Sequence, residues 1–224
     1  MESTRLPADG GMLYTETNLD RLFPEPLNFI SSLLFLGIAC FWLWKLRDDY
    51  PKYPFLLYCA LLLLVGAIGG GVYHGFRLWR PFIMMDWLPI MLLCISAAIH
   101  FLIRVSRWYI AIGIVSVYIA FTFWMRSHLD SVTNIQFWIN LNYTLMALLV
   151  VVPVFWFLAT HSFRFGQYVL LALLCFSVAI IFRIADGWNW LSSGTHFLWH
   201  TFGAFATALM LQFLYKVRSA EITS

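Results

Sequence analysis

Long runs of apolar side chains, broken at intervals by short clusters of Arg, Lys, Asp, Pro and Gly, dominate this chain. The runs cover approximately residues 27–44, 54–73, 81–103, 108–124, 135–158, 166–183 and 195–215. Each approaches the ~20 residues that a hydrocarbon layer requires of a spanning helix. They are too long and too continuous for the alternating strands of a transmembrane barrel. Backbone groups in lipid must be satisfied within their own segment, which leaves helix as the conformation. The pattern predicts an all-α membrane protein, a seven-transmembrane helix bundle over residues 27–215. A polar N-terminal arm (1–26) precedes it and a short tail (216–224) follows. The arm contains no apolar core of the signal-peptide kind, so the first helix itself is expected to direct insertion.

Composition agrees with this picture. Of the 224 residues, 62% are hydrophobic and 11% charged, whereas soluble domains carry roughly 25% charged residues. A single bundle accounts for the whole length. The net charge of +3 is small and scattered, so no nucleic-acid partner is expected. The four cysteines, Cys40, Cys59, Cys94 and Cys175, fall inside apolar runs without CxxC spacing and read as small hydrophobes. No Walker loop, GxGxxG or GxSxG elbow is present. Eight basic residues (Lys45, Arg47, Lys52, Arg104, Arg107, Arg164, Lys216, Arg218) fall on one side of the layer. Six (Arg5, Arg21, Arg77, Arg80, Arg126, Arg183) fall on the other. The positive-inside rule then places the N-terminus outside and the C-terminus in the cytoplasm. Trp42, Trp44, Trp79, Trp87, Trp108, Trp124, Trp188 and Trp190 cluster near run ends, where most read as interfacial belt residues.

The parity of the spans gathers the unusual polar residues. Glu25 and Asn28 open the first run, His74 closes the second, Asp86 lies in the first turns of the third, and His196 and His200 open the seventh. Seven passes put all of them at one depth, on the outer face, whereas His100 and His161 map to the inner face and His128 to the loop after the fourth run. His196 and His200 are four apart, hence on one helix face. Three neutral imidazoles plus a water make an open zinc site, and zinc lowers the pKa of that water towards ~7. Asp86 is then a candidate general base, or a partner that holds an imidazole or the water; a helix cap or an ion pair with Arg80 is the plain alternative. Gly69-Gly70-Gly71, just before His74, admits close approach of a neighbouring helix or of a substrate. Glu16, Asn18, Glu25 and Asn28 form an oxygen-rich group suited to calcium, or else an acidic arm that caps the first helix. For Arg183 and Asp186, three apart, a local ion pair is expected.

In this order the residues resemble the alkaline ceramidases and the wider CREST superfamily of seven-span membrane hydrolases. The resemblance is carried by Glu25-Pro26-Leu27-Asn28-Phe29-Ile30-Ser31, by the glycine run leading to His74, and by Asp86-Trp87-Leu88-Pro89. Phe182-Arg183-Ile184-Ala185-Asp186 and the stretch from His196 to Gly203 complete it. It implies zinc on His74, His196 and His200, with Asp86 beside the metal water, and a calcium site onto which Glu16, Asn18 and Glu25 map. Leu13 and Tyr14 stand where the ceramidases have an acidic-aromatic pair. Gly70 stands where they have a serine, one turn before the histidine, that is thought to stabilise the reacting group. Tyr73, Ser31 or Ser32 would have to supply the missing donor. The expected activity is that of a zinc-dependent intramembrane amidase, which cleaves a ceramide-like membrane lipid to a fatty acid and a sphingoid base. The alternatives are a receptor-like or lipid-binding protein with structural zinc, and an ester lipid hydrolase using the same metal.

Overall fold

A computed structural model describes residues 7–127 and 135–223; His128 and Arg5 lie outside them. Seven helices, each long and apolar enough to cross a membrane, carry the described chain. They are α1 (Pro26–Leu46), α2 (Pro54–Phe76), α3 (Arg80–Val105), α4 (Trp108–Ser127), α5 (Ile135–Thr160), α6 (Gly166–Ala185) and α7 (His196–Thr223). No strand occurs among the described residues. The protein is an all-α, seven-helix membrane protein. Many large apolar side chains on these helices are exposed, Ile30, Val117 and Leu170 among them, and hydrocarbon is the solvent that suits them.

Helix ends follow local chemistry. Pro26 and Pro54 stand in the first turns of α1 and α2, where a missing N–H costs nothing. Helix α7 runs well past the expected end of its apolar run, because neither Pro nor Gly stops it there. Its last turns are supported by an Arg218–Glu221 pair at 3.1 Å.

The chain divides into two units. The first runs up to Ile90 and resumes at Phe165; the second is Met91–Arg164. In the second unit, Tyr118 donates to Asn142 Oδ1 at 3.1 Å and the Phe101 and Phe157 rings meet at 5.3 Å. In the first, α1 packs against both α2 and α7, and α7 against α6. Trp42, expected in the interfacial belt, is instead 2% exposed, because its ring packs on Tyr215 at the ends of α1 and α7. Trp44, Trp79, Trp108, Trp124, Trp188 and Trp190 are exposed as expected.

The glycines of α2 decide how near α3 comes. A Cβ on Gly69 would overlap the Met85 carbonyl, and one on Gly66 would lie 3.0 Å from Pro89 Cβ. The two backbones therefore touch, and the first turns of α3 are seated in a notch that only glycine can form. Gly69→Ala is expected to destabilise the fold by about 1–3 kcal/mol, the usual cost of overpacking. Gly37→Ala is the control. A Cβ there meets nothing within 4 Å, so the substitution should be neutral or slightly stabilising. Thermal unfolding of the two variants in detergent reads the difference.

Candidate metal centre

The site begins with the N-terminal arm and the free helix ends beneath it. The first amides of a helix have no partner within the helix. Glu16 supplies one for α1: its Oε1 accepts from the Leu27 N–H at 2.6 Å and its Oε2 from the Asn28 N–H at 3.0 Å. Burial raises the Glu16 pKa above the ordinary carboxylate value, against the pull of those two amides. Asp186 does the same for α7. Its Oδ1 accepts from the Thr195 and His196 amides at 2.8 and 2.9 Å, and its Oδ2 from the Thr15 amide at 3.1 Å. Asp186 was expected to pair with Arg183; its two carboxylate oxygens serve backbone amides. The arm is thus fastened to the starts of both α1 and α7.

Three imidazoles converge below it. His74 is at the end of α2, and His196 and His200 are one turn apart at the start of α7. They are 0%, 3% and 6% exposed. Each offers a ring nitrogen, and the three nitrogens lie within 4.8 Å of one another, so this buried group can hold a metal ion. Ring partners settle which nitrogen faces the centre. His74 Nδ1 is 2.5 Å from Glu25 Oε2, an acceptor at neutral pH, so Nδ1 carries the hydrogen. His200 Nδ1 faces the Asn28 carbonyl at 3.2 Å, an acceptor only, and Ser31 Oγ at 2.9 Å. Both rings are therefore left with a lone pair on Nε2. His74 Nε2 is buried without a hydrogen-bond partner, which a bound cation would resolve. His196 is covered from the arm by the Tyr14 ring, stacked on it at 3.9 Å. The donor set, three imidazole nitrogens with no thiolate, fits zinc as one of the transition metals that imidazole binds.

Asp86 is in the second turn of α3, too far along to cap that helix. A Cβ on Gly70 would lie 2.7 Å from Asp86 Oδ1 and 3.5 Å from Ser32 Oγ. The carboxylate thus occupies the notch at Gly70, one turn before His74 on the same face of α2. Ser32 is the hydroxyl nearest to where a side chain at Gly70 would begin.

The other expected site residues are placed differently. Ser31 donates to the Asn28 carbonyl at 3.1 Å and contacts His200 Nδ1, so it orients a ring. The Tyr73 hydroxyl is buried with no hydrogen-bond partner and abuts Gly11 of the arm. Ser32 is engaged in the same way as Ser31, donating to the Asn28 carbonyl at 2.8 Å with its Oγ 3.4 Å from His200 Nδ1. Glu16, Asn18 and Glu25, the calcium candidates, each have partners within the chain. Glu16 caps α1, and Asn18 Oδ1 accepts from its neighbour Asp20 N–H at 3.1 Å. Glu25 faces the Arg77 guanidinium, His74, Thr17 and Asn28 Nδ2. Burial alone would raise the Glu25 pKa, but His74, Arg77 and Thr17 outweigh it and hold it below the ordinary value. A cation already satisfies this carboxylate, and it is the chain's own.

That cation, and the Asp9 that grips it, did not emerge from the sequence. The available signal was spacing: Arg77 is three residues after His74, on the same helix face.

The fold and site together define a seven-helix membrane protein with a buried three-histidine group able to hold a metal ion. Compared with protein-family models and with curated proteins, the chain matches neither.

Proposed function

We propose that the protein is a zinc-dependent intramembrane lipid hydrolase that cleaves the amide bond of ceramide-like lipids to a fatty acid and a sphingoid base. One observation carries the reading: an acid, Asp86, is seated in a glycine notch one turn before His74, itself one of three buried imidazoles that can share an ion. Zinc, when bound, supplies a Lewis acid and lowers the pKa of water towards ~7. The chain supplies the rest. Glu25 and the Asn28 carbonyl fix the tautomers of His74 and His200. Asp86 takes the proton of the attacking water on a carboxylate oxygen and returns it to the leaving amine nitrogen. Tyr14 and the arm screen the centre from the aqueous side, and Ser31 and Ser32, both beside His200, are the hydroxyls available to steady the substrate. The reading takes zinc as the ion and leaves calcium out, since Arg77 already faces the Glu25 carboxylate. Eight basic residues against six support a cytoplasmic C-terminus, with the arm and metal centre outside.

Purified protein should carry about one equivalent of zinc, as a three-histidine site requires. His196→Ala should lose it, as measured by elemental analysis. Incubation with mixed membrane lipids, with and without a chelator, followed by lipidomics, then tests the chemistry. Release of fatty acid and sphingoid base that the chelator abolishes is the expected result. Release from ester lipids alone would change the substrate class. A zinc-loaded protein that turns over neither amide nor ester lipid would replace the hydrolase by a receptor-like protein with structural zinc.

A further inference from the structure

The arm, α1 and α2 meet in a buried ion network beside the metal centre. Arg77 Nε donates to Asp9 Oδ2 at 2.7 Å, Nη2 to Asp9 Oδ1 at 3.2 Å and to the Met12 carbonyl at 2.8 Å, and Nη1 to Glu25 Oε1. The other Glu25 oxygen holds His74 Nδ1. Thr17 supports the Nη1 side of the same carboxylate at 2.7 Å. The Arg77 guanidinium also lies over the Tyr73 ring, 4.7 Å from its centroid. Asp9, Glu25 and Arg77 are each at most 1% exposed. Burial works against the charge on Arg77, yet Asp9 and Glu25 hold its pKa above the ordinary value.

The backbone adds an independent observation. Arg77 ends α2 in the left-handed region, φ 51° and ψ 30°. Glycine or asparagine takes that cap position at least cost. An arginine kept there, its side chain wholly enclosed, points to a requirement for the guanidinium.

We propose that Arg77 is a positioning residue of the metal centre: gripped by Asp9 and the Met12 carbonyl, it holds Glu25 against His74 Nδ1 and so aims His74 Nε2 at the ion. This rests on reading His74, His196 and His200 as metal ligands. The guanidinium is a built-in cation where an oxygen-rich cage would otherwise take one from solution. Its planar fork makes four hydrogen bonds, to two carboxylates and a carbonyl, one more than the three N–H groups of an ammonium can donate. The arm thereby becomes part of the site: Asp9 and Met12 grip Arg77, and Tyr14, two residues further on, covers His196.

The test uses the full-length protein in detergent and needs no turnover. Zinc affinity is measured by competition with a chromogenic chelator, and the cobalt-substituted protein is examined by its visible ligand-field spectrum. Arg77→Gln should weaken zinc binding by about 10–100-fold, the usual effect of losing a partner behind a ligand, and should alter the cobalt spectrum. Arg77→Lys should recover part of the loss. Asp9→Asn, which keeps an oxygen for the Gly11 N–H but removes the charge that grips Arg77, should change both readouts in the same direction by less, and stands in if Arg77→Gln does not fold. A merely structural Arg77 would lower thermal stability while the folded variants kept the parental affinity and spectrum; that result would overturn the proposal. A parent chain that binds no zinc would overturn the ligand assignment and this inference with it.

Discussion

Asp86→Asn is expected to keep its zinc and lose lipid-amide turnover by about 10²–10⁴-fold, the contribution typical of a positioned general base. The substitution preserves shape and removes the proton acceptor. The carboxylate lies 2.7 Å from where a Gly70 Cβ would be, and the Gly69–Met85 backbone contact fixes the height of α3. The asparagine should therefore sit in the same notch and leave the three histidines undisturbed. Elemental analysis and initial rates on the amide lipid separate the possibilities. Loss of zinc together with activity would make Asp86 a metal ligand. Parental turnover would reduce it to a packing residue.

Gly70→Ser is expected to lower turnover by about 10²-fold, the scale of a ~1 Å misplacement of a catalytic group. Sequence reasoning left open the opposite outcome, since a serine at this position matches the ceramidases and would add a hydroxyl to the site. The geometry argues against a gain. A side chain at Gly70 begins 2.7 Å from Asp86 Oδ1, within contact distance, so the carboxylate must move before any hydroxyl can act. Gly70→Ala should cost a similar amount, which would assign the effect to the Cβ. Combined with Asp86→Asn, Gly70→Ser should cost little more, because two changes that act through one group are not additive. An increase in turnover by Gly70→Ser with zinc content unchanged would sink this account and restore the donor reading. Ser32, with Oγ 3.5 Å from the same point, already stands nearby.

Much of the architecture was legible in the sequence because the membrane imposes it. An apolar run of spanning length has one stable state in lipid, and alternation of passes then brings the start of α1, the end of α2, the start of α3 and the start of α7 to one level. For that reason the sequence alone points to His74, Asp86, His196 and His200. The extension of α7 to Thr223 was missed because hydropathy marks where a helix leaves lipid, and the helix continues until something breaks it.

The sequence by itself determined which elements form and at which end of them the chemistry collects, since both depend on partition between water and hydrocarbon, a property of local composition. Only the tertiary structure decided what each polar group does there. Glu16 and Glu25 look alike in the arm, yet Glu16 caps α1 whereas Glu25 lies between Arg77 and His74, the latter 49 residues away. Asp186 caps α7 and also reaches Thr15, 171 positions distant. Hydrogen-bond partners are chosen by distances of about 3 Å, and such proximity arises only once the arm, α1, α2 and α7 have packed together.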